Sequence, residues 1–475
     1  MTEPVEYDVV VLGGGPAGEN IADRTRAAGL TTALVESELI GGECSYWACV
    51  PSKALLRPVL ARADASRVPG LAGSVEWPLD TEAVFAHRDY WTGDWKDAGQ
   101  VDWLDSIGAH VYRGHGRLYG VRKVAVTSPE GEHHVLSARH AVVVATGTRA
   151  VIPDLPGIVG ARPWTSREAT SAREAPRRLL IVGGSVVAAE MATAWQSLGS
   201  QVTVLVRGPR LLPRMEPFAG ELVAEALREA GAEVRTGVAV EAVVRDGSTG
   251  PVTVVLEGGE TLEGDELLMA TGRTPRTEDI GLDTVGLPAG EWIAVDDTCR
   301  VPGHDWLYAV GDVNHRALLT HQGKYQARIT GAAIAARAAG TPLDTDPWGA
   351  HTATADTRAL PQAVFTDPEA AAVGLTLAEA ERAGHRVRAV DYDLSKVSGA
   401  GLYADGYRGR ARMIVDLDRE VLLGATFVGP GAAELLHAAT IAVAGEVPIA
   451  RLWHAVPAFP TISEIWLRLL ETYRG

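Results

Sequence analysis

Cysteine is scarce in this chain: three residues in 475 cannot build the disulfide framework of a secreted protein. A close pair of cysteines in a reducing compartment is better suited to catalysis or metal binding. Metal is the weaker option, and no metal ligands are assigned, because no second Cys/His pair with zinc-ligand spacing is present. Excess basic charge is missing as well. With 60 acidic against 44 basic residues and a formal charge of −16, a phosphate backbone or an anionic membrane is a poor partner. Long apolar runs are also absent. The opening MTEPVEYDVVVLGGG carries Glu3 and Glu6 where a leader would be basic, and its apolar run ends at a glycine cluster, far short of a membrane span. These absences predict a cytoplasmic protein that binds neither nucleic acid nor membrane. The hydrophobic content of 46% suffices for the cores of about three domains, and no low-complexity linker separates them.

What is present begins with two dinucleotide-binding patterns. The first is YDVVVLGGGPAGENIADRTRAAG, an apolar strand from Tyr7 to Leu12 that runs through Gly13, Gly15 and Gly18 into a helix starting near Pro16. Glycines at this spacing permit a tight turn, close approach of backbone N–H groups to a pyrophosphate, and close packing of helix on strand. The strand LTTALVESE then ends at Glu36, placed to accept hydrogen bonds from ribose hydroxyls. The plan recurs in RRLLIVGGSVVAAEMATAWQSLGSQVTVLVR, with a strand Leu179–Val182, a Gly-rich turn, a helix through Leu198 and a strand Val202–Val206.

Two echoing segments, HAVVVATGTRAVIP and DELLMATGRTPRT, read as crossovers between domains, and Asp312 in WLYAVGDV is placed to accept a hydrogen bond from a polyol chain. From Pro347 onward, short alternating strands (LPQAVFTDP, RARMIVDLD, VLLGATFVG) mix with helices (AAELLHAATIAVAG, ISEIWLRLLETY). The fold class predicted is α/β, with two Rossmann-like domains and an α+β carboxy-terminal domain. The expected boundaries are 1–153 and 272–346 for the first dinucleotide domain and its second, central part, 154–271 for the second dinucleotide domain, and 347–475 for the carboxy-terminal domain.

GGGPAG, GGECSYWACVPSK, ATGTRAVIPDLPG, the second Gly turn, ATGRTPRT, YAVGDV, FTDPEAAAVGLT and PTISE occur in one order along nearly the whole chain. In that order the sequence resembles the FAD-dependent pyridine nucleotide-disulfide oxidoreductases, the family of dihydrolipoamide dehydrogenase, glutathione reductase and mercuric reductase. The resemblance implies a homodimer in which NAD(P)H reduces FAD and the flavin reduces a nearby disulfide that serves a thiol or disulfide substrate. It implies FAD contacts from Gly13, Gly15, Pro16, Ala17, Gly18, Glu36, Gly42, Lys53, Thr146, Gly147, Gly311, Asp312 and His321. Gly183, Ser185, Ala188 and Arg207 are implied at the nicotinamide nucleotide, and Gly272 and Arg273 at a bound cofactor. Lys53 and Glu190 match an ion pair near the flavin. Cys49 is implied to face the flavin and Cys44 to meet the substrate. A thiolate where PSKALLRPVL begins its helix is also favoured by the helix dipole.

Several positions depart from the family pattern. Ser185 stands where the middle glycine admits the pyrophosphate, and Val186 where a tyrosine often covers the flavin. The strand before Arg207 ends without an acidic residue, and Arg210 and Arg214 follow; guanidinium groups there suit a 2′-phosphate, so NADPH is favoured over NADH. Phe459 occupies the place of the family's acid/base histidine, while the accompanying Glu464 is kept; His454, five residues upstream, is the available substitute. Tyr46 and Trp47, inside the cysteine loop, either stack on a flat substrate or fill the core beneath the flavin. No cysteine pair closes the carboxy terminus, which disfavours a mercuric reductase in the strict sense, and Cys299 reads as structural.

The expected function is electron transfer from NADPH through flavin to the Cys44–Cys49 pair and on to a thiol or disulfide. The alternatives are a quinone, metal-ion or oxygen reductase, and a flavin-binding structural protein with little turnover.

Overall fold

The computed structural model describes residues 3–247 and 249–475. By its contacts the chain divides into two compact units. The first comprises the described residues of Met1–Val50, Asp89–Arg149 and Arg273–Thr357. Its sheet runs in the order His110–Arg113, Thr32–Glu36, Val5–Leu12, His133–Val144, Lys123–Thr127, His115–Leu118, and Leu307–Ala309 adds in parallel to His133–Val144.

The opening strand sits at the centre, parallel to both neighbours, with Val9 opposite Thr32 on one side and Ala141 on the other. A central parallel strand is covered on both faces, which explains its unbroken apolar run. Val9 and Val11 pack with Ile21, Leu34 and Val143 on one face. Val10 and Leu12 pack with Val35, Val142 and Val144 on the other. The helix Pro16–Ala27 begins with proline at its first position, where the missing N–H costs nothing.

The second unit comprises Pro51–Arg88, Ala150–Gly272 and Arg358–Gly475. Its parallel sheet runs Glu233–Thr236, Gln201–Val206, Arg178–Val182, Glu266–Met269, with the helix Val186–Ser197 following the Gly-rich turn. A three-stranded antiparallel sheet, Val240–Arg245, Val252–Leu256 and Thr261–Gly264, belongs to the same segment.

The carboxy-terminal part forms a five-stranded antiparallel sheet in the order Pro361–Val364, Glu369–Gly374, Val421–Gly429, Arg410–Asp416, Val387–Asp393. Three of these strands match the alternating segments of the sequence. Two go beyond them. Glu369–Gly374 is rich in alanine, a poor strand former, yet Ala370 and Ala371 are buried between two flanking strands, so packing overrides propensity. Among the described residues no helix is long and apolar enough to cross a membrane.

Candidate active site

The first Gly-rich turn is shaped by close backbone approach. Gly13 has φ +102°, and a Cβ there would meet the Ala145 carbonyl oxygen at 2.4 Å. A Cβ on Gly18 would meet the Gly13 carbonyl oxygen at 1.9 Å, so the helix lies on the strand only because both are glycine. Gly15 is the N-cap and contributes no side-chain cap, and Pro16 and Ala17 open the helix. At the end of the next strand Glu36 Oε2 accepts a hydrogen bond from the Gly14 N–H at 2.6 Å, which ties the carboxylate to the turn.

Gly311 and Asp312 lie in the 3-10 turn that follows Leu307–Ala309. The Gly311 N–H donates to Gln326 Oε1 at 2.8 Å. Asp312 Oδ2 accepts from Thr148 Oγ1 at 2.7 Å, and burial pushes its carboxyl above the ordinary range. Arg273 Nε donates to the same Thr148 hydroxyl at 2.5 Å. Next to Gly147, the Thr146 hydroxyl is buried with no hydrogen-bond partner among the described residues. A glycine cradle, a helix start without a side-chain cap, a half-buried carboxyl and an orphaned hydroxyl, all in one unit, fit a dinucleotide such as FAD.

The cysteine loop belongs to the same unit. Gly42 begins the short helix Gly42–Tyr46, and Cys49 is the first residue of the helix Cys49–Ser66. The Cys44 and Cys49 thiols hydrogen-bond each other. This contact, and then burial, push the Cys44 thiol well up, while Thr320 and the charge of Lys324 act in the opposite direction. Thr320 Oγ1 lies 3.3 Å from Cys49 Sγ.

The two loop aromatics have different fates. Tyr46 is 1% exposed, and its hydroxyl donates to the Ile40 carbonyl at 3.1 Å, so it fills the core and does not stack on substrate. Trp47 is half-buried against it. His321 is exposed in the first turn of the helix Thr320–Ala338.

In the second unit Lys53 Nζ donates to Glu190 Oε2 at 2.7 Å, and the Phe365 N–H donates to Glu190 Oε1 at 3.0 Å. Glu190 is buried, and these two donors satisfy a carboxylate that would otherwise be costly to desolvate.

The second Gly-rich turn repeats the first with one change. Gly183 has φ +135°, and a Cβ there would meet the Ala270 carbonyl oxygen at 2.2 Å. Ser185 takes the N-cap, its Oγ donating to the Ala270 carbonyl at 3.0 Å and accepting from the Ala188 N–H at 3.4 Å. The serine thus replaces the middle glycine with a capping hydroxyl. Gly272 accepts the Val151 N–H at 2.9 Å. Arg207 and Arg214 are exposed and Arg210 is partly buried. None of the three has a carboxylate partner among the described residues, and Arg210 Nε is buried without a hydrogen bond.

At the carboxy terminus Phe459 is 73% exposed, and His454 is exposed as well. Glu464 is buried and ion-paired with Arg468 one turn along. With phenylalanine at 459, Glu464 is held by an arginine of its own helix end.

Sequence reasoning missed three groups. Thr320 was passed over beside His321, and Thr148 beside Gly147. The Arg276 Nη2 to Glu43 Oε1 contact at 2.9 Å, next to Cys44, joins segments 233 residues apart. Thr148, Glu43 and Arg276 each sit within a recognisable motif, but only the fold shows what they touch, and Thr320 sits in none.

Comparison with known proteins agrees with this geometry. Residues 7–339 match the pyridine nucleotide-disulphide oxidoreductase family, and residues 360–469 match its dimerisation domain, which supports a homodimer. A dihydrolipoyl dehydrogenase of Chlorobaculum tepidum is 32% identical over 98% of this chain and 96% of its own length. A mercuric reductase of Staphylococcus aureus is 28% identical over 97% of this chain and 81% of its own length. The crystal structure of LpdA from Mycobacterium tuberculosis superimposes with a TM-score of 0.83 at 26% identity, covering 99% of this chain and 100% of that one. The flavoprotein disulfide reductase RclA from Escherichia coli shares the fold, with a TM-score of 0.82 at 23% identity over 98% of this chain and 99% of that one. The chain belongs to the pyridine nucleotide-disulphide oxidoreductases, FAD-dependent enzymes whose electron donor is NAD(P)H.

Proposed function

We propose that this enzyme draws electrons from NADPH and uses Cys44 and Cys49 as the redox pair that serves a small-molecule thiol or disulfide, in the cytoplasm. The observation that carries the reading is the contact between the two thiols, with Cys49 at the start of a helix. Bound FAD supplies the two-electron chemistry that links nicotinamide to disulfide. Residues 1–153 with 272–346 are taken to hold FAD, 154–271 the nicotinamide nucleotide, and 347–475 the partner subunit.

The protein's own residues divide the work. Gly13, Gly15, Pro16, Ala17 and Gly18 cradle the pyrophosphate at a helix start, Glu36 and Asp312 take hydroxyl groups, and Gly42, Thr146, Gly147, Gly311 and His321 line the same nucleotide. Lys53, ion-paired with Glu190, keeps the role that the family resemblance assigns to it. Gly183, Ser185, Ala188 and Gly272 belong to the NADPH site, where Arg207 and its neighbours receive the 2′-phosphate.

The helix dipole at Cys49 favours its thiolate, whereas the hydrogen bond from Cys44 keeps a proton on Cys44. Cys44 is therefore the sulfur that must be activated to attack a substrate. An acid/base histidine is worth about 100- to 10,000-fold, and Phe459 supplies none. A substrate whose leaving thiol is acidic, or which is reduced without protonation of a thiolate, suits this site better than lipoamide. The exposed His454 remains the candidate substitute base.

A second reading, transfer to a quinone, metal ion or oxygen, is favoured by Phe459 and by the engagement of Glu464 with Arg468, because these acceptors need little proton relay at that position. The test is an acceptor panel of lipoamide, low-molecular-weight disulfides, quinones and metal ions, run with wild type and Cys44→Ser. Disulfide turnover lost in the variant supports the first reading. Quinone or metal turnover that survives the substitution, with no disulfide turnover in wild type, supports the second.

A further inference from the structure

We propose that Thr320 is a catalytic residue: its hydroxyl bridges the two redox sulfurs and relays the proton that must leave Cys44 before it attacks. The inference rests on the dithiol reading above. Thr320 Oγ1 stands 3.3 Å from Cys49 Sγ and also hydrogen-bonds Cys44. A hydroxyl is donor and acceptor at once, so when the Cys44 S–H turns away from Cys49 a single group can accept it while donating to the Cys49 thiolate. Neither a backbone N–H nor a carboxylate can do both.

The surroundings favour negative charge on sulfur at this point. Thr320 opens the helix Thr320–Ala338, whose N-cap Leu319 contributes no side-chain cap, so the positive end of a 19-residue helix lies beside the sulfurs. Lys324, one turn along, adds a cation whose charge acts on Cys44. One neighbouring carboxylate is ion-paired, and another, beside Lys324, is raised by burial. Glu43 is held by Arg276 at 2.9 Å. Glu19 is pushed up to about 7 by burial against the opposing charge of Lys324.

The step balances as follows. In the reduced pair Cys44 is a thiol and Cys49 a thiolate. Thr320 takes the Cys44 proton as it gives its own to Cys49. The Cys44 thiolate attacks one sulfur of a substrate disulfide; that S–S bond breaks, a mixed disulfide forms, and the first thiolate leaves and takes a proton from water. Cys49 then gives its proton back through Thr320 toward the second leaving sulfur and attacks Cys44, closing the Cys44–Cys49 disulfide. The pair is oxidised by two electrons, the substrate is reduced by two, and one proton comes from the pair and one from water. No histidine is required.

Thr320→Val keeps the shape and removes the hydroxyl, and Thr320→Ser restores it. Each protein is reduced anaerobically with dithiothreitol and alkylated with iodoacetamide across about pH 5–9, and the two cysteine peptides are quantified by mass spectrometry. With its hydrogen bond to the charged sulfur removed, Thr320→Val is expected to alkylate Cys44 about 10-fold more slowly near pH 7, with its pH midpoint about one unit higher. Thr320→Ser is expected to return both to near the wild-type values. Bound FAD content equal to wild type shows that Thr320→Val is folded. If the content falls, Thr320→Ser set against Thr320→Ala supplies the same comparison. An unchanged Cys44 rate and midpoint in Thr320→Val overturns the inference. If Cys44 in wild type is not alkylated after reduction, the dithiol reading itself fails and takes this inference with it.

Discussion

Glu464 is ion-paired with the Arg468 guanidinium, and its other carboxylate oxygen, Oε2, is buried without a hydrogen-bond partner among the described residues. In the family pattern a carboxylate at this position orients a histidine. Here the histidine position is Phe459, and an arginine one helical turn away has captured the carboxylate.

It follows that restoring the histidine alone restores little. Phe459→His combined with Arg468→Gln is expected to exceed Phe459→His alone in lipoamide turnover by about 10-fold, part of the 100- to 10,000-fold span of general acid–base catalysis. Steady-state rates of the two variants decide this. Equal rates would show that Arg468 does not compete for Glu464.

The Lys53–Glu190 pair has one buried partner and one half-exposed one. Lys53→Met removes the charge that balances a buried carboxylate, leaving only the Phe365 N–H on it. A loss of about 1–3 kcal/mol is expected, less than for a fully buried pair because Lys53 reaches solvent. Urea denaturation measures it. Lys53→Met combined with Glu190→Leu is expected to be less destabilised than Lys53→Met alone.

Arg207 tests the choice of nucleotide. Arg207→Glu places a carboxylate where a 2′-phosphate is expected, and kcat/KM for NADPH should fall about 10- to 100-fold, the value of a charged hydrogen bond, with NADH affected far less. Equal losses for the two nucleotides would remove the basis for favouring NADPH.

Cys299 is fully buried, and burial pushes its thiol up to about 12. Reaction of the reduced native enzyme with a thiol reagent near neutral pH is therefore expected to reach Cys44 and Cys49 and to spare Cys299 until the protein unfolds. The sign for stability follows from linkage. The folded state keeps this proton where the unfolded chain releases it, so the contribution is full below the ordinary value of 9.0 and is lost as pH rises from there towards about 12. Cys299→Ala should flatten the alkaline limb of a stability–pH curve.

The parts legible in the sequence were those in which one residue type does one local job. Glycines that meet a carbonyl at 2.4 Å or less, a proline at the first helical position and an apolar strand buried on both faces leave periodic traces. The parts that were not legible depend on distant partners. Arg276 reaches Glu43 across the chain, and Arg468 takes Glu464 because the residue that would compete for it is a phenylalanine. Tyr46 carried an ambiguous signal, since an aromatic beside a reactive loop reads the same whether it faces substrate or core. Thr320 was hidden by its ordinary position at a helix start, where threonine usually signifies a cap.

The most direct measurement is an anaerobic NADPH titration of the FAD-loaded enzyme, followed by absorbance, in wild type and Cys49→Ser. Wild type is expected to take up about one NADPH before the flavin bleaches, with a long-wavelength thiolate–flavin band, whereas Cys49→Ser bleaches from the first addition and shows no band. A wild type that bleaches from the first addition without the band would contradict the assignment of Cys44 and Cys49 as the redox pair.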